Sequence, residues 1–111
     1  MQNMSMEQMQ QRFSRVEHCI EDAMRACQSA GNPPQELKEC IGEMDRRAHE
    51  AHDLMWQSQD ESRIVECVDS LEQLGDRAMQ ACRKAGMVEP QLREAVQAAH
   101  DELSTLKHQL H

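Results

Sequence analysis

Aromatic residues are almost missing from this sequence of 111 residues, which holds one phenylalanine, one tryptophan and no tyrosine. Phe13 and Trp56 are too few to build the stacking platforms on which proteins hold single-stranded nucleic acid. Positive charge is also in deficit. The formal net charge is −8, divided equally between the two halves of the chain. Neutralising phosphates takes basic stripes, so nucleic acid is excluded as a partner, and so is an anionic membrane surface. No apolar run approaches the roughly 20 residues that span a bilayer. Nor is there the charged start, apolar stretch and small-residue cleavage site of a secretory signal. The expected location is the cytoplasm. Glycine and proline number only four and three, and act as punctuation between elements. Cysteine is present five times, an odd number without CxxC or CxxxC spacing, which points to free thiols and away from a disulfide framework.

What the chain does have is helical periodicity, written twice. Ala23-Met24-Arg25-Ala26-Cys27, ending in Ala30-Gly31, returns 55 residues later as Ala78-Met79-Gln80-Ala81-Cys82, ending in Ala85-Gly86. Leu37-Lys38-Glu39 returns as Leu92-Arg93-Glu94, and Ile41 as Val96. Apolar residues recur at alternating steps of three and four, the mark of a helix seam. The four seams are Met9, Phe13, Val16, Ile20, Ala23, Cys27, Ala30; then Leu37, Ile41, Met44, Ala48, Ala51, Met55; then Ile64, Val68, Leu71, Gly75, Ala78, Cys82, Ala85; and Leu92, Val96, Ala99, Leu103, Leu106, Leu110.

Gly31 and Gly86 stand where helix ends favour a left-handed residue. Asn32 is placed to cap the second helix, and Pro33 and Pro90 to open helices. Ser58-Gln59-Asp60-Glu61 has the form of a capping box. These signals predict helices near 4–30, 33–56, 60–85 and 90–110. Residues 1–5 of the Gln- and Met-rich start are expected to fray or to help a partner contact. The expected fold is all-α: an antiparallel up-down-up-down four-helix bundle made from two duplicated helical hairpins, about 4–56 and 60–110, forming one domain over 1–111. Gly75 occupies a seam position held by Ile20 in the first half. Either Leu74 rotates inward to compensate, or a neighbouring side chain packs over the glycine.

Several constellations bear on chemistry. Antiparallel register brings Cys27 beside Cys40, and the repeat puts Cys82 in the same layer. Thiolates suit zinc, and with the thioethers of Met24 and Met79 they suit Cu(I). A Cys27–Cys40 disulfide needs Cα atoms within about 7 Å. Against this, cysteine on an alanine-rich seam packs as a small hydrophobe, and Cys40 becomes Ala95 in the repeat. His49 and His52 stand one turn apart, His49 toward solvent. His18 and His108 fall opposite their seams, and His100 flanks Ala99. Arg46-x-x-His49 and Gln97-x-x-His100 lack the Glu-x-x-His pairs of a di-iron bundle. The acidic neighbours of His49, among them Asp53, would repel a phosphoryl donor. Glu17, Glu21, Asp22, Glu39, Glu43, Glu72, Asp76 and Glu94 read as solvated outer faces, many with a cation within a turn.

No set of catalytic groups assembles from these residues, so no enzyme is expected. The first functional reading is a non-enzymatic, acidic helical-bundle protein of regulatory or adaptor type. It acts through contact with a protein partner or a second copy of itself, with Trp56, Met55 and Leu54 as contact residues and no cofactor. The alternative is a soft-metal or thiol-redox module holding copper or zinc on Cys27, Cys40 and Cys82.

Overall fold

The computed structural model describes residues 5–58 and 60–110. They form four α-helices: α1 Met6–Ser29, α2 Gln35–Asp53, α3 Glu61–Ala85 and α4 Pro90–Leu110. A short π-helix, Leu54–Ser58, continues from the end of α2. Among the described residues there is no strand.

The helix ends follow from local chemistry, though not always at the expected residues. The capping box belongs to α1: Ser5 Oγ accepts from the Gln8 backbone N–H at 3.1 Å, and Gln8 Oε1 accepts from the Ser5 N–H at 3.1 Å. Two of the first-turn donors that a helix leaves unpaired are thereby satisfied. Ser5 is thus a cap and not part of a frayed end, while Met1 and Met4 lie outside the described residues. Of the remaining methionines at this end, Met9 is core and Met6 packs against it. At α3 the N-cap is Asp60, whose carboxylate accepts from the Arg63 N–H at 3.3 Å; the side chains of Ser58 and Gln59, which begin the expected capping box, lie outside the described residues.

Gly31 does not serve as a left-handed stop. Helix α1 ends at Ala30 in extended conformation, φ −68° and ψ 140°, with its N–H donating to the Ala26 carbonyl at 3.0 Å. Consecutive prolines explain the difference. Pro33 and Pro34 bias the residues before them toward extended backbone, and Pro34 itself takes the cap position of α2, displacing Asn32. Gly86, with φ +75°, is the left-handed glycine among the described residues. Pro90 opens α4 as expected, where its missing N–H costs nothing.

Helix α1 packs against α2 and α4, and α3 packs against the same two. The four helices surround one apolar cluster in which no polar or charged residue is buried among those described. The long axis is 41 Å. A helix of 25 residues is about 38 Å long, so the body is one helix in length. Burial follows the 55-residue offset closely. Phe13 and Val68, Val16 and Leu71, Ile20 and Gly75, Ala23 and Ala78, Cys27 and Cys82 are buried in pairs along α1 and α3. Leu37 and Leu92, Ile41 and Val96, Met44 and Ala99, Ala48 and Leu103, Ala51 and Leu106 do the same along α2 and α4. The buried alanines bring the helix axes close, as a small side chain in the seam requires. Ala85 departs from its expected seam position and is exposed, because α3 ends there and the chain turns into solvent at Gly86.

Candidate functional site

Three places bring chemistry-bearing residues together. The first is the corner where α2 runs into the π-helix. Trp56 is 41% exposed, while Met55 beside it is fully buried and Leu54 is half-buried against the core. Met55 is therefore a core residue and not a contact residue: a side chain with no accessible surface cannot meet a partner without opening the bundle. The Trp56 ring stacks on His52, with centroids 4.1 Å apart and planes 16° from parallel. His52 Nδ1 lies 3.1 Å from Glu17 Oε2, which ties the corner to α1. Gln10 reinforces the tie, donating from Nε2 to the Met55 carbonyl at 3.0 Å. That carbonyl belongs to a helix end and would otherwise depend on water. Trp56 is thus stacked on a side chain that is itself tied to α1, and it remains 41% exposed.

The second group is Cys27, Cys40 and Cys82. All three are buried, and all five cysteines are free thiols. The structure does not gather the three sulfurs into one donor set. Among the described residues, three donors within 4.8 Å of one another occur at Glu72, Asp76 and His100 and not at the thiols. The physical reason is that each thiol faces a different neighbour. Cys27 lies under the α1–α2 turn near Lys38, Cys40 faces the charged α2–α3 groove near Arg77, and Cys82 faces Arg93 of α4. Burial pushes all three thiols above their ordinary pKa of 9.0, and does the same to Cys19 and Cys67. Such thiols keep their protons at neutral pH, and it is the thiolate that binds metal or attacks a disulfide. Nearby on the rim of the α2–α3 groove, a hydrogen bond from Arg46, helped by Arg47, holds the Glu43 carboxyl below its usual range. This is a solvated ion pair and not a reactive acid.

The third place lies between α3 and α4. Glu72 and Asp76 stand four residues apart on one face of α3, and His100 reaches them from α4. His100 Nε2 is 2.6 Å from Asp76 Oδ1 and 3.9 Å from Glu72 Oε2. Lys107 Nζ, also from α4, is 3.3 Å from the other Glu72 oxygen. The Glu72 side chain is only 13% exposed, so it does not lie on the solvated outer face where periodicity put it. Gly75 explains how His100 gets there. A side chain beginning at Gly75 would meet His100 Cδ2 at 3.5 Å and Leu103 Cδ1 at 3.7 Å, so the imidazole and Leu103 lie over the glycine. Both expectations for Gly75 hold together: neighbours cover it, and Leu74 turns inward to 9% exposure. Two carboxylate oxygens and an imidazole nitrogen are donor types for divalent first-row ions.

Sequence reasoning treated Glu72, Asp76 and His100 one at a time and missed the group. The signal was present in the repeat. At the 55-residue offset, Ile20 and Asp45 stand opposite Gly75 and His100, so the absent seam side chain and the imidazole occur in the same half. No family model, curated protein or solved structure matches this chain.

Proposed function

We propose that this protein is a non-enzymatic interaction module of regulatory or adaptor type, acting in the cytoplasm through contact with another protein or a second copy of itself. Its architecture is an antiparallel up-down-up-down bundle forming one domain, assembled from two duplicated hairpins. The 55-residue pairing of buried positions supports the duplication. The antiparallel course is supported by pairs of cross-helix ties that run in opposite senses: Gln10 with Met55 and Glu17 with His52 from α1 to the end of α2 and the π-helix, and Glu72 with Lys107 and Asp76 with His100 between α3 and α4.

The observation that carries the functional reading is Trp56. It is the largest apolar side chain exposed among the described residues, and His52 fixes its orientation before any partner arrives. Tryptophan is enriched among the few residues that dominate interface energetics, and a side chain already fixed loses less entropy on binding. The contact set accordingly contracts to Trp56, flanked by half-buried Leu54. The thiol-based alternative loses support, because Cys27, Cys40 and Cys82 do not form one donor set.

The test places a photo-crosslinking amino acid at position 56 and, as a control, at exposed position 105 of α4. A discrete adduct from position 56 and none from 105 is expected, its mass showing whether the partner is a second copy. Equal labelling from both positions, or none from 56, overturns the reading. Sedimentation of Trp56→Ala against the parent then reports whether self-association depends on the ring.

A further inference from the structure

The face between α3 and α4 carries a group that the interaction reading does not use. The geometry points to a binding site for a single divalent transition-metal ion of the zinc class, held by Glu72, Asp76 and His100.

Three observations support it. The first is the donor set. One oxygen or nitrogen from each residue lies within 4.8 Å of the others. Ligands about 2.0–2.1 Å from a tetrahedral zinc stand roughly 3.3 Å apart. The distances from His100 Nε2, 2.6 Å to Asp76 and 3.9 Å to Glu72, straddle that value. Three protein donors leave a fourth position open to water.

The second is the state of His100. Its other ring nitrogen, Nδ1, is buried and has no hydrogen-bond partner. Asp101 Oδ1 lies 3.7 Å from it, too far for a hydrogen bond. A neutral imidazole that donates from Nε2 to Asp76 leaves the Nδ1 lone pair buried and unmatched. With a metal on Nε2, the proton moves to Nδ1 and faces the Asp101 carboxylate, the outer-shell arrangement common to metal-binding histidines.

The third is the contrast with the equivalent place in the first half. There the corresponding residues are Glu17, Glu21 and Asp45, with Ile20 at the position of Gly75. That half has carboxylates but no imidazole among the three, and its donors do not converge within 4.8 Å. The second half has lost the seam isoleucine and gained a histidine whose ring occupies the space over the glycine. The site thus depends on a packing change in the core as well as on surface charge. Lys107 sits beside Glu72 and opposes a cation there, so it sets the affinity downward without being a ligand.

The test uses the full chain, reduced and labelled with nitrogen-15. Zinc is titrated in while the ring nitrogens of the histidines are followed by NMR. Expected is a large shift of His100 Nε2 that saturates at one equivalent, with exposed His18 and His49 unmoved. Asp76→Asn, at an exposed helix position that tolerates the change, is expected to weaken zinc binding at least roughly tenfold, as even outer-shell losses do. Lys107→Gln is expected to strengthen it. A zinc titration that leaves His100 unshifted, including one in which the thiols take the metal, overturns the proposal. So does an Asp76→Asn variant that binds zinc as tightly as the parent.

Discussion

The two halves of this protein bury the same positions and fill them differently. In the first half the bulk is on the leading helix: Phe13 and Ile20 on α1, with Ala48 and Ala51 on α2. In the second it has moved to the trailing helix: Val68 and Gly75 on α3, with Leu103 and Leu106 on α4. Leu103 lies against Gly75, where the register of the first half sets Ala48 against Ile20. A core tolerates such exchange when the volume of each layer is kept. The difference teaches that side-chain volume can pass between paired helices and leave room for a side chain of the neighbouring helix. Where the first half has Ile20, the second has Gly75, and both Leu103 and His100 lie over it.

The largest way to break the parallel is truncation of the core. Phe13→Ala is expected to cost about 3–5 kcal/mol, against about 1.5–3 kcal/mol for Val68→Ala at the matching position. Denaturant unfolding of the two variants measures the gap. Equal losses would mean that the halves share the core's energy without regard to where its bulk lies.

The exchange itself can be reversed. Gly75→Ile restores the residue of the first half but drives it into His100 and Leu103, and overpacking of this kind costs about 1–3 kcal/mol. Added to Leu103→Ala, the same change should cost less than the sum of the two singles, because the pair then resembles Ile20 with Ala48. Additive losses would show that the two positions do not share one layer. Gly75→Ala runs the other way. Its Cβ would make only ordinary contacts, and alanine is favoured over glycine inside a helix by roughly 0.5–1 kcal/mol, so a small gain in stability is expected.

The smallest effects lie in the cross-helix ties. Glu17 meets His52 in one half and Glu72 meets Lys107 in the other, and neither pair is fully buried. His52→Lys is expected to change stability by no more than about 1 kcal/mol, the scale of exposed ion pairs. It should, however, raise the access of quenchers to Trp56 fluorescence, since the stacked ring is lost. Alkaline titration separates the thiols from these ties. Each thiol is raised by burial, so the folded chain holds these protons more tightly than the unfolded chain does. Stability from this source is complete below pH 9.0 and falls as pH climbs through and above it, most visibly by thermal melting between neutral pH and pH 10. A Cys27→Ala, Cys82→Ala double variant should flatten part of that fall.

Helix existence, the seam residues and the alanine layers were legible in the chain because they depend on a period of 3.6 residues and on which residues avoid water, both local properties. The recurrence of buried positions at a 55-residue offset was legible for the same reason. Boundaries were less so. Two adjacent prolines overrode the glycine signal at Gly31, and the π-helix after Asp53 left no mark in the apolar spacing. Met55 was correctly read as a seam residue, yet it was also assigned to a contact surface that its burial denies it.

The candidate sites behaved differently from the fold. That Trp56 would be exposed at a helix end follows from its neighbours in sequence, but that it would stack on His52 does not. Glu72, Asp76 and His100 are ordinary helix-surface residues when each is read on its own helix. They converge because α3 and α4 pack with His100 and Leu103 over Gly75. Cys27, Cys40 and Cys82 share a layer by periodicity and still face three different neighbours, because a layer specifies height along the bundle and not direction around it. Periodicity tells which side of a helix meets the core. Which side chains meet each other is settled by how four such helices rotate and slide to fill their common volume.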